Sequence, residues 1–342
     1  MRVLVTGATG FIGSELVRTL LRRGDEVRIL ARSAVRAAPL VAAGAELLVG
    51  DIADPRSLEQ SCSGCEVVFH LASAIRGSEA AFRRVDIDGT RRLIAEAERA
   101  GVRRFVFAGS LSSYDVTQVR DGAWLDEANP FDRTGRLGHY ARAKAEAEAL
   151  VLEANKRGAL EGVIVRLGLT CGKGADPFPP HVGRLVRPNL LVLFGDGSIP
   201  LPLVLLENAV EAIILAATAP GVAGEAFNIV DSESICQADY VQLYRRVTSA
   251  PLRVVRVPRF AYYALGAATA LAARLRSKEP AITPYRVRAR LRSVRWNCSK
   301  AERRLQWRSR VPLMTGLAAE FNSVKNSRAH DAPAAAGSPT GA

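Results

Sequence analysis

Residues 1–32 read MRVLVTGATGFIGSELVRTLLRRGDEVRILAR. Val3, Leu4 and Val5 form a short apolar run, and Thr6-Gly7-Ala8-Thr9-Gly10-Phe11-Ile12-Gly13 follows as a glycine-rich turn. Leu16, Leu20 and Leu21 then recur at helical spacing, and Glu26 to Leu30 reads as a second strand. Each glycine has its own task in such a strand–turn–helix unit. Gly7 allows the sharp turn, Gly10 lets the backbone approach a pyrophosphate, and Gly13 lets the helix pack closely on the strand. Phosphates then sit on free N–H groups at the positive end of the helix. A tight turn with no ligand would have to account for three glycines at once, so the stretch predicts dinucleotide binding.

The end of the second strand selects the dinucleotide. An acidic side chain there accepts hydrogen bonds from the adenosine ribose hydroxyls and favours NAD. This chain has Ala31-Arg32-Ser33, with Arg36 one helical turn on. A guanidinium at that place pairs with a 2′-phosphate, which favours NADP. If Arg32 only covers the adenine face, NAD serves equally.

A chain of 342 residues, 48% hydrophobic and 24% charged, has the composition of a globular protein able to bury a large core. The formal net charge of +13 permits attraction to anionic substrates, acidic lipid or nucleic acid. Arg is spread along the whole chain, so composition bias accounts for the charge, and no nucleic-acid partner is expected. The five Cys give no disulfide framework. Cys62 and Cys65 form a CxxC without a second pair, so no metal site is expected either. Met1-Arg2 runs directly into the first strand, leaving no room for a signal or transit peptide, and a reducing cytoplasm is the expected location.

Further along, strands and helices alternate as a parallel sheet requires. Ala45 to Val49 is a third strand, with Asp51 at its carboxyl end placed to accept from an adenine amino group. Val67 to His70 is a fourth, followed by Ala72, Ser73 and Ala74, small residues beside which a cofactor can lie close to the backbone. His70 reads as a packed strand residue. A long helix is predicted from about Ala80 to Ala100, and a fifth strand from Arg104 to Ala108.

That strand leads into Gly109-Ser110-Leu111-Ser112-Ser113-Tyr114, which brings hydroxyls to the crevice beyond its end. Tyr140-Ala141-Arg142-Ala143-Lys144 opens a helix rich in Ala and Glu, and i, i+4 spacing puts Tyr140 and Lys144 on one face. A free phenol titrates at about 10, too high for a base near neutrality. A neighbouring ammonium and a positive nicotinamide ring both favour phenolate and are expected to lower that value. Ser110 then holds a substrate oxygen while Tyr140 exchanges its proton.

With these motifs assembled, the chain resembles the extended short-chain dehydrogenase/reductases, the group that includes nucleotide-sugar epimerases and dehydratases, 3β-hydroxysteroid dehydrogenases and dihydroflavonol reductases. The resemblance covers roughly residues 1–320. It rests on residues 6–13, Gly50-Asp51-Ile52, Val85-Asp86-Ile87-Asp88-Gly89-Thr90, Ser110, and Tyr140 with Lys144. Later matches are Val165-Arg166, Phe194-Gly195-Asp196-Gly197-Ser198, Phe227-Asn228-Ile229, and Asn297-Cys298-Ser299-Lys300-Ala301 before Leu305-Gln306-Trp307. The resemblance implies an α/β chain: a Rossmann-type doubly wound parallel sheet within 1–170, to which later strands return, a smaller substrate-binding lobe within 171–322, and a tail at 323–342. It implies Tyr140 as acid/base, Lys144 on the ribose hydroxyls, and Ser110 positioning substrate, with Ser112 as its understudy. The implied cofactor contacts are Gly7, Thr9, Gly10, Phe11, Ile12, Gly13, Arg32, Asp51, Ile52, Leu71, Ala72, Ser73, Tyr140 and Lys144. Several positions depart from the family's pattern. Asp86 stands where Asn is frequent, Arg166-Leu167 where Arg-Pro is usual, Cys171-Gly172 where Tyr-Gly tends to follow, and Asn208 where Asp is common.

In the second half, Pro177, Pro179, Pro180 and Pro188 punctuate a loop region able to act as a lid. Arg184 and Arg187 there would suit a diphosphate-bearing sugar nucleotide if they line the pocket, or are a solvated basic loop. Phe260 to Ala273 is apolar and bounded by Arg259 and Arg274. It is too short to span a bilayer, which takes about twenty residues. A buried helix is its first reading; contact with a membrane surface or a wall of an apolar pocket are the others. The layout from Pro258 through Thr283 is more similar to the steroid-dehydrogenase branch than to the sugar-dehydratase branch. From about Lys325 the composition predicts disorder. The expected activity is hydride transfer between NADP or NAD and a secondary alcohol or ketone of a small molecule, with a homodimer allowed. The alternatives are a nucleotide-sugar epimerase/dehydratase with tightly bound NAD, and a non-catalytic cofactor-binding sensor or assembly factor.

Overall fold

The computed structural model describes residues 1–132, 134–275 and 282–331. Its centre is a seven-stranded sheet. In chain order the strands are β1 (Arg2–Thr6), β2 (Glu26–Ala31), β3 (Glu46–Val49), β4 (Val67–His70), β5 (Arg104–Ser110), β6 (Glu161–Leu167) and β7 (Ala226–Ile229). The helices are α1 (Phe11–Arg22), α2 (Ala34–Ala42), α3 (Glu79–Phe82), α4 (Gly89–Arg99), α5 (His139–Lys156), α6 (Leu206–Thr218), α7 (Gln237–Thr248), α8 (Arg259–Leu275), α9 (Pro284–Leu291), α10 (Ser299–Arg304) and α11 (Leu313–Asp331). Spatially the strands run β7-β6-β5-β4-β1-β2-β3, and every pairing is parallel. This is the doubly wound Rossmann arrangement. Its order reverses between β1 and β4, where a crevice opens beyond the carboxyl ends of the strands.

The period-2 alternation of strand side chains divides the core. Val3, Val5, Phe69, Val106, Val163 and Val165 face one way, against Leu16, Val17 and Leu20 of α1 and Val210, Ile213 and Ile214 of α6. Leu4, Val68, Phe105, Phe107 and Ile164 face the other, against Leu93, Ile94 and Ala97 of α4 and Ala147, Val151 and Ala154 of α5. With both faces covered, the central strands are continuously apolar.

The helix expected over 80–100 is present as one continuous helical run with a wider stretch inside it. Between α3 and α4 lies a π-helical turn, Arg83–Asp88, which carries Asp86 into the buried interior near the crevice. Such wide turns accommodate one more residue than the α-helical repeat and recur at functional sites. β5 also runs longer than expected, so that Ser110 is its last residue.

The second half of the chain first returns to the sheet through α6 and β7, then builds a smaller lobe. Phe178, Leu191, Leu193, Tyr240, Tyr244, Leu317 and Phe321 form its core. The proline-punctuated segment is tied to that core: Phe178 is buried, the Tyr240 hydroxyl donates to the Pro177 carbonyl at 2.9 Å, and the Gln237 amide donates to the His181 carbonyl at 2.6 Å. Residues 323–331 form the last turns of α11. That helix is fixed by a close approach: a Cβ at Gly316 would lie 2.3 Å from the Leu205 side chain. Residues 332–342, and Lys278 to Ala281 of the segment read as steroid-dehydrogenase-like, lie outside the described residues.

Glu320 of α11 is buried in this lobe, and burial pushes its carboxyl up to about 8, with the charge of Glu207 adding to the shift. The ordinary value is 4.5. Between the two values the folded protein holds a proton that the unfolded chain has released, so stability falls as pH rises through this window. The wild type should lose up to ~1.4 kcal/mol per pH unit there. Glu320→Gln should flatten that loss, and thermal melts at about pH 5.5 and about pH 8 measure it; parallel slopes for the two proteins would contradict the assignment.

Candidate active site

The turn after β1 forms a close-fitting cradle. Gly7 has φ +72°, and the Gly10 N–H donates to the Gly7 carbonyl at 3.0 Å. A Cβ at Gly7 would lie 2.7 Å from the Ala72 nitrogen and the Leu71 carbonyl carbon, and one at Gly13 only 2.2 Å from the Gly7 oxygen. Gly10 caps α1 without any side-chain hydrogen bond, so no side chain occupies the first-turn N–H groups. Thr9, Phe11 and Ile12 are partly exposed around it. A helix N-terminus stripped of side chains in this way fits a pyrophosphate, through both its N–H donors and its dipole.

Beyond β2, the Arg32 side chain is 72% exposed and lies 3.9 Å from the Asp51 carboxylate. The Arg36 guanidinium reaches back to the Thr9 carbonyl at 3.3 Å, which joins the basic strand end to the glycine turn. Ser33 caps α2 by accepting from the Arg36 N–H. Asp51 also accepts from the Ala53 N–H at 2.9 Å. Ile52 is buried against Gly89.

Leu71, Ala72 and Ser73 follow β4 and are partly exposed beside Gly7. A buried chain of hydrogen bonds holds this strand end. The Ala72 N–H donates to Thr6 Oγ1, which lies 2.7 Å from His70 Nδ1; His70 Nε2 lies 2.8 Å from Thr90 Oγ1, which donates to the Asp86 carbonyl. Thr90 spends its proton on that carbonyl, so His70 carries its own on Nε2 and accepts from Thr6 through Nδ1. Burial pushes the imidazole down to about 3, which keeps it neutral. His70 is the packed strand residue its sequence context suggested. The Asp86 carboxylate accepts from the Ser73 hydroxyl and from the Ala74 N–H at 2.9 Å. Burial raises Asp86, while the charge of Lys144 opposes the rise.

α5 begins after Gly138, whose φ of +116° breaks the preceding chain. Its helical spacing turns both Tyr140 and Lys144 inward. The Tyr140 ring packs edge-on to buried Phe82 at 6.1 Å between centroids. Its hydroxyl lies near enough to Ser110 for that side chain to favour the phenolate, and Ser110 Oγ lies 2.9 Å from Ser112 Oγ. The three hydroxyls expected from sequence are therefore together at the end of β5. In the protein chain by itself, the Tyr140 hydroxyl is raised above the ordinary phenol value. Burial penalises the phenolate, Asp86 repels it, and Ser110 offsets this only in part. Lys144 is itself buried, donates to the Ala108 carbonyl at 3.0 Å, and is lowered by burial while Asp86 opposes that shift.

Sequence reasoning missed what holds α5 in place. One turn beyond Lys144, Glu148 forms a buried ion pair with Arg166 of β6. Arg166 also donates to the Tyr114 hydroxyl and to the Glu127 carbonyl, and Tyr114 donates to Asn228 at 2.8 Å. The Val165-Arg166 and Phe227-Asn228 matches carried this signal without saying what the residues touch. On the other side, Arg286 of α9 abuts Gly138, where a Cβ would meet its guanidinium at 2.9 Å. Asn208, where the family often has Asp, is structural: it bonds Asp231 and the backbone of Arg310 and Val311. Arg184 and Arg187 lie on an exposed strand of the lobe's three-stranded sheet. Cys62 and Cys65 are buried core thiols raised by burial, and among the described residues no cluster suited to a metal occurs.

Residues 3–230 match the model of the NAD dependent epimerase/dehydratase family. The chain belongs to this family, within the extended short-chain dehydrogenase/reductases, and is an oxidoreductase-type enzyme with a Rossmann NAD-binding fold. It is 29% identical over 324 residues to the 4-hydroxy-2-methyl-3-oxo-4-farnesyl-3,4-dihydroquinoline-1-oxide ketoreductase of Stigmatella aurantiaca, covering 93% of this chain and 95% of that one. It is 30% identical over 335 residues to the 3-beta-hydroxysteroid dehydrogenase of Mycolicibacterium neoaurum, covering 92% and 88%. Among solved structures, the UDP-glucuronic acid 4-epimerase of Bacillus cereus in complex with NAD superposes with a TM-score of 0.73 at 20% identity, over 96% of this chain and 99% of that one. This last likeness shows the fold alone.

Arg166→Met should leave Glu148 buried without its partner and cost about 3–5 kcal/mol of stability. Adding Glu148→Leu should recover much of that loss. Urea denaturation of the wild type, both single variants and the double variant measures the coupling; additive losses would contradict it.

Proposed function

We propose that this protein is an NADP(H)-preferring ketoreductase acting on the carbonyl of a largely apolar small molecule. The observation that carries the proposal is the placement of Tyr140 and Lys144 on the inward face of α5, beside Ser110 at the end of β5 and the glycine cradle after β1. When bound, the nicotinamide supplies the hydride. Ser110 and Tyr140 hold the carbonyl oxygen through hydrogen bonds, and Tyr140 passes its phenolic proton to that oxygen as negative charge develops. Lys144 takes the ribose hydroxyls and keeps positive charge near the phenolate that forms.

One feature supports an apolar substrate over a sugar nucleotide. The relatives bear names of farnesyl-quinoline, alkyl-oxoalkanoate and steroid chemistry. NADP preference is supported by exposed Arg32 and by Arg36 at the cradle, where β2 ends without an acidic residue.

Tyr140→Phe should lower kcat for carbonyl reduction by about 10²-fold or more while cofactor affinity changes little. Assay against a panel of lipophilic ketones with NADPH checks this, and near-normal turnover would remove Tyr140 from the mechanism. Arg32→Ala should weaken NADPH binding by about tenfold and leave NADH binding nearly unchanged, as read by quenching or calorimetric titration; equal losses would exclude a phosphate contact.

A further inference from the structure

α8 carries its apolar side chains on the wrong side for a helix of a free-standing protein. Only Tyr262 and Gly266 are fully buried. Tyr262 stacks on Phe194 at 4.1 Å, and a Cβ at Gly266 would lie 3.1 Å from Val287, so the inner face is fixed tightly to the lobe and to α9. The outer face runs Phe260, Ala264, Ala267, Leu271 and Leu275, spaced four, three, four and four residues apart, which is one continuous stripe of a helix. Phe260 is 76% exposed, Leu271 60% and Leu275 81%. The first expectation, a buried helix, is therefore corrected. No helix among the described residues is long and apolar enough to cross a membrane.

The charges around the stripe have one predominant sign. Within α8 the only charged residues are Arg259 and Arg274, one at each end. Arg256, Arg288 and Arg292 gather near its first turn, with Asp121 and Asp196 as the acidic neighbours there. Apolar side chains that dip below the headgroups, flanked by guanidinium groups that pair with phosphates, are what a helix lying flat on an anionic bilayer requires. We propose that α8 docks this protein onto an anionic phospholipid surface, with Phe260, Leu271 and Leu275 inserted among the acyl chains and Arg256, Arg259 and Arg274 at headgroup level.

Docking there leaves α9 as the link to the candidate active site. α9 packs against α8, its Tyr285 hydroxyl donates to Asp115 at 2.7 Å, and its Arg286 abuts Gly138 just before Tyr140. The docking itself does not rest on the reductase reading, since it needs neither cofactor nor turnover.

The test is sedimentation of the full chain with vesicles of phosphatidylcholine alone, or with about a third phosphatidylglycerol, at low and high salt. Binding to the anionic vesicles, weakened by salt, is expected. The double variant Phe260→Ser with Leu271→Ser should bind them about tenfold more weakly or worse. Both side chains are exposed, so the variant should keep the wild-type thermal midpoint and dinucleotide affinity, and those measurements guard against misfolding. Wild-type protein that fails to bind anionic vesicles overturns the proposal. Equal binding of wild type and double variant overturns it also. A dimer in analytical ultracentrifugation that the double variant abolishes, without vesicle binding, would assign the stripe to a second copy of the chain instead.

Discussion

The contact on which the crevice depends is backbone on backbone. Gly13 of α1 sits so near the carbonyl of Gly7 that a single added carbon would lie 2.2 Å from that oxygen. Gly7 in turn lies against the backbone of Leu71 and Ala72 at the end of β4. These approaches draw α1, β1 and β4 together at the point where the strand order reverses. The helix N-terminus is thereby aimed into the gap with its N–H groups unobstructed by side chains. Any side chain larger than hydrogen at residue 7 or 13 would separate the elements and displace those donors.

On the far side of the crevice the same problem is solved with buried charge. α5 must hold a phenol and an ammonium in fixed positions, and it is secured along one face. Lys144 reaches the Ala108 carbonyl, and one turn later Glu148 meets Arg166. Burying these groups costs solvation, which raises Glu148 and lowers Lys144. The cost is offset because each charge finds a partner, and the pairs give the helix one rotation about its axis. Asp86 enters the same field from the π-helical turn, where it opposes ionisation of Tyr140 and supports the charge on Lys144. The departure from the frequent Asn thus changes the electrostatics around the phenol while keeping the hydrogen bonds to Ser73 and Ala74.

Much of the sheet was legible because strand and helix periodicities are local. Val3 to Val5, Val67 to His70 and the leucines of α1 declare their elements within a few residues. The glycine turn and the Tyr140–Lys144 spacing are local in the same sense. The directions of the pKa shifts were not, since the raised phenol follows from burial and from a carboxylate fifty-four residues earlier in the chain. The π-helical stretch between α3 and α4 was hidden as well, because its sequence suits an ordinary helix.

The sequence alone determined the alternation of strands and helices, the glycine cradle and the basic end of β2. These are properties of neighbouring residues, set by backbone sterics, side-chain period and local charge. Only the tertiary structure decided that Glu148 pairs with Arg166, that Glu320 is buried, and that the apolar stripe of α8 faces outward. An apolar helix reads the same in sequence whether its partner is a protein core or a lipid surface. Which side it presents is decided by the residues that happen to hold it, here Phe194 and Val287, and they lie on other elements of the lobe.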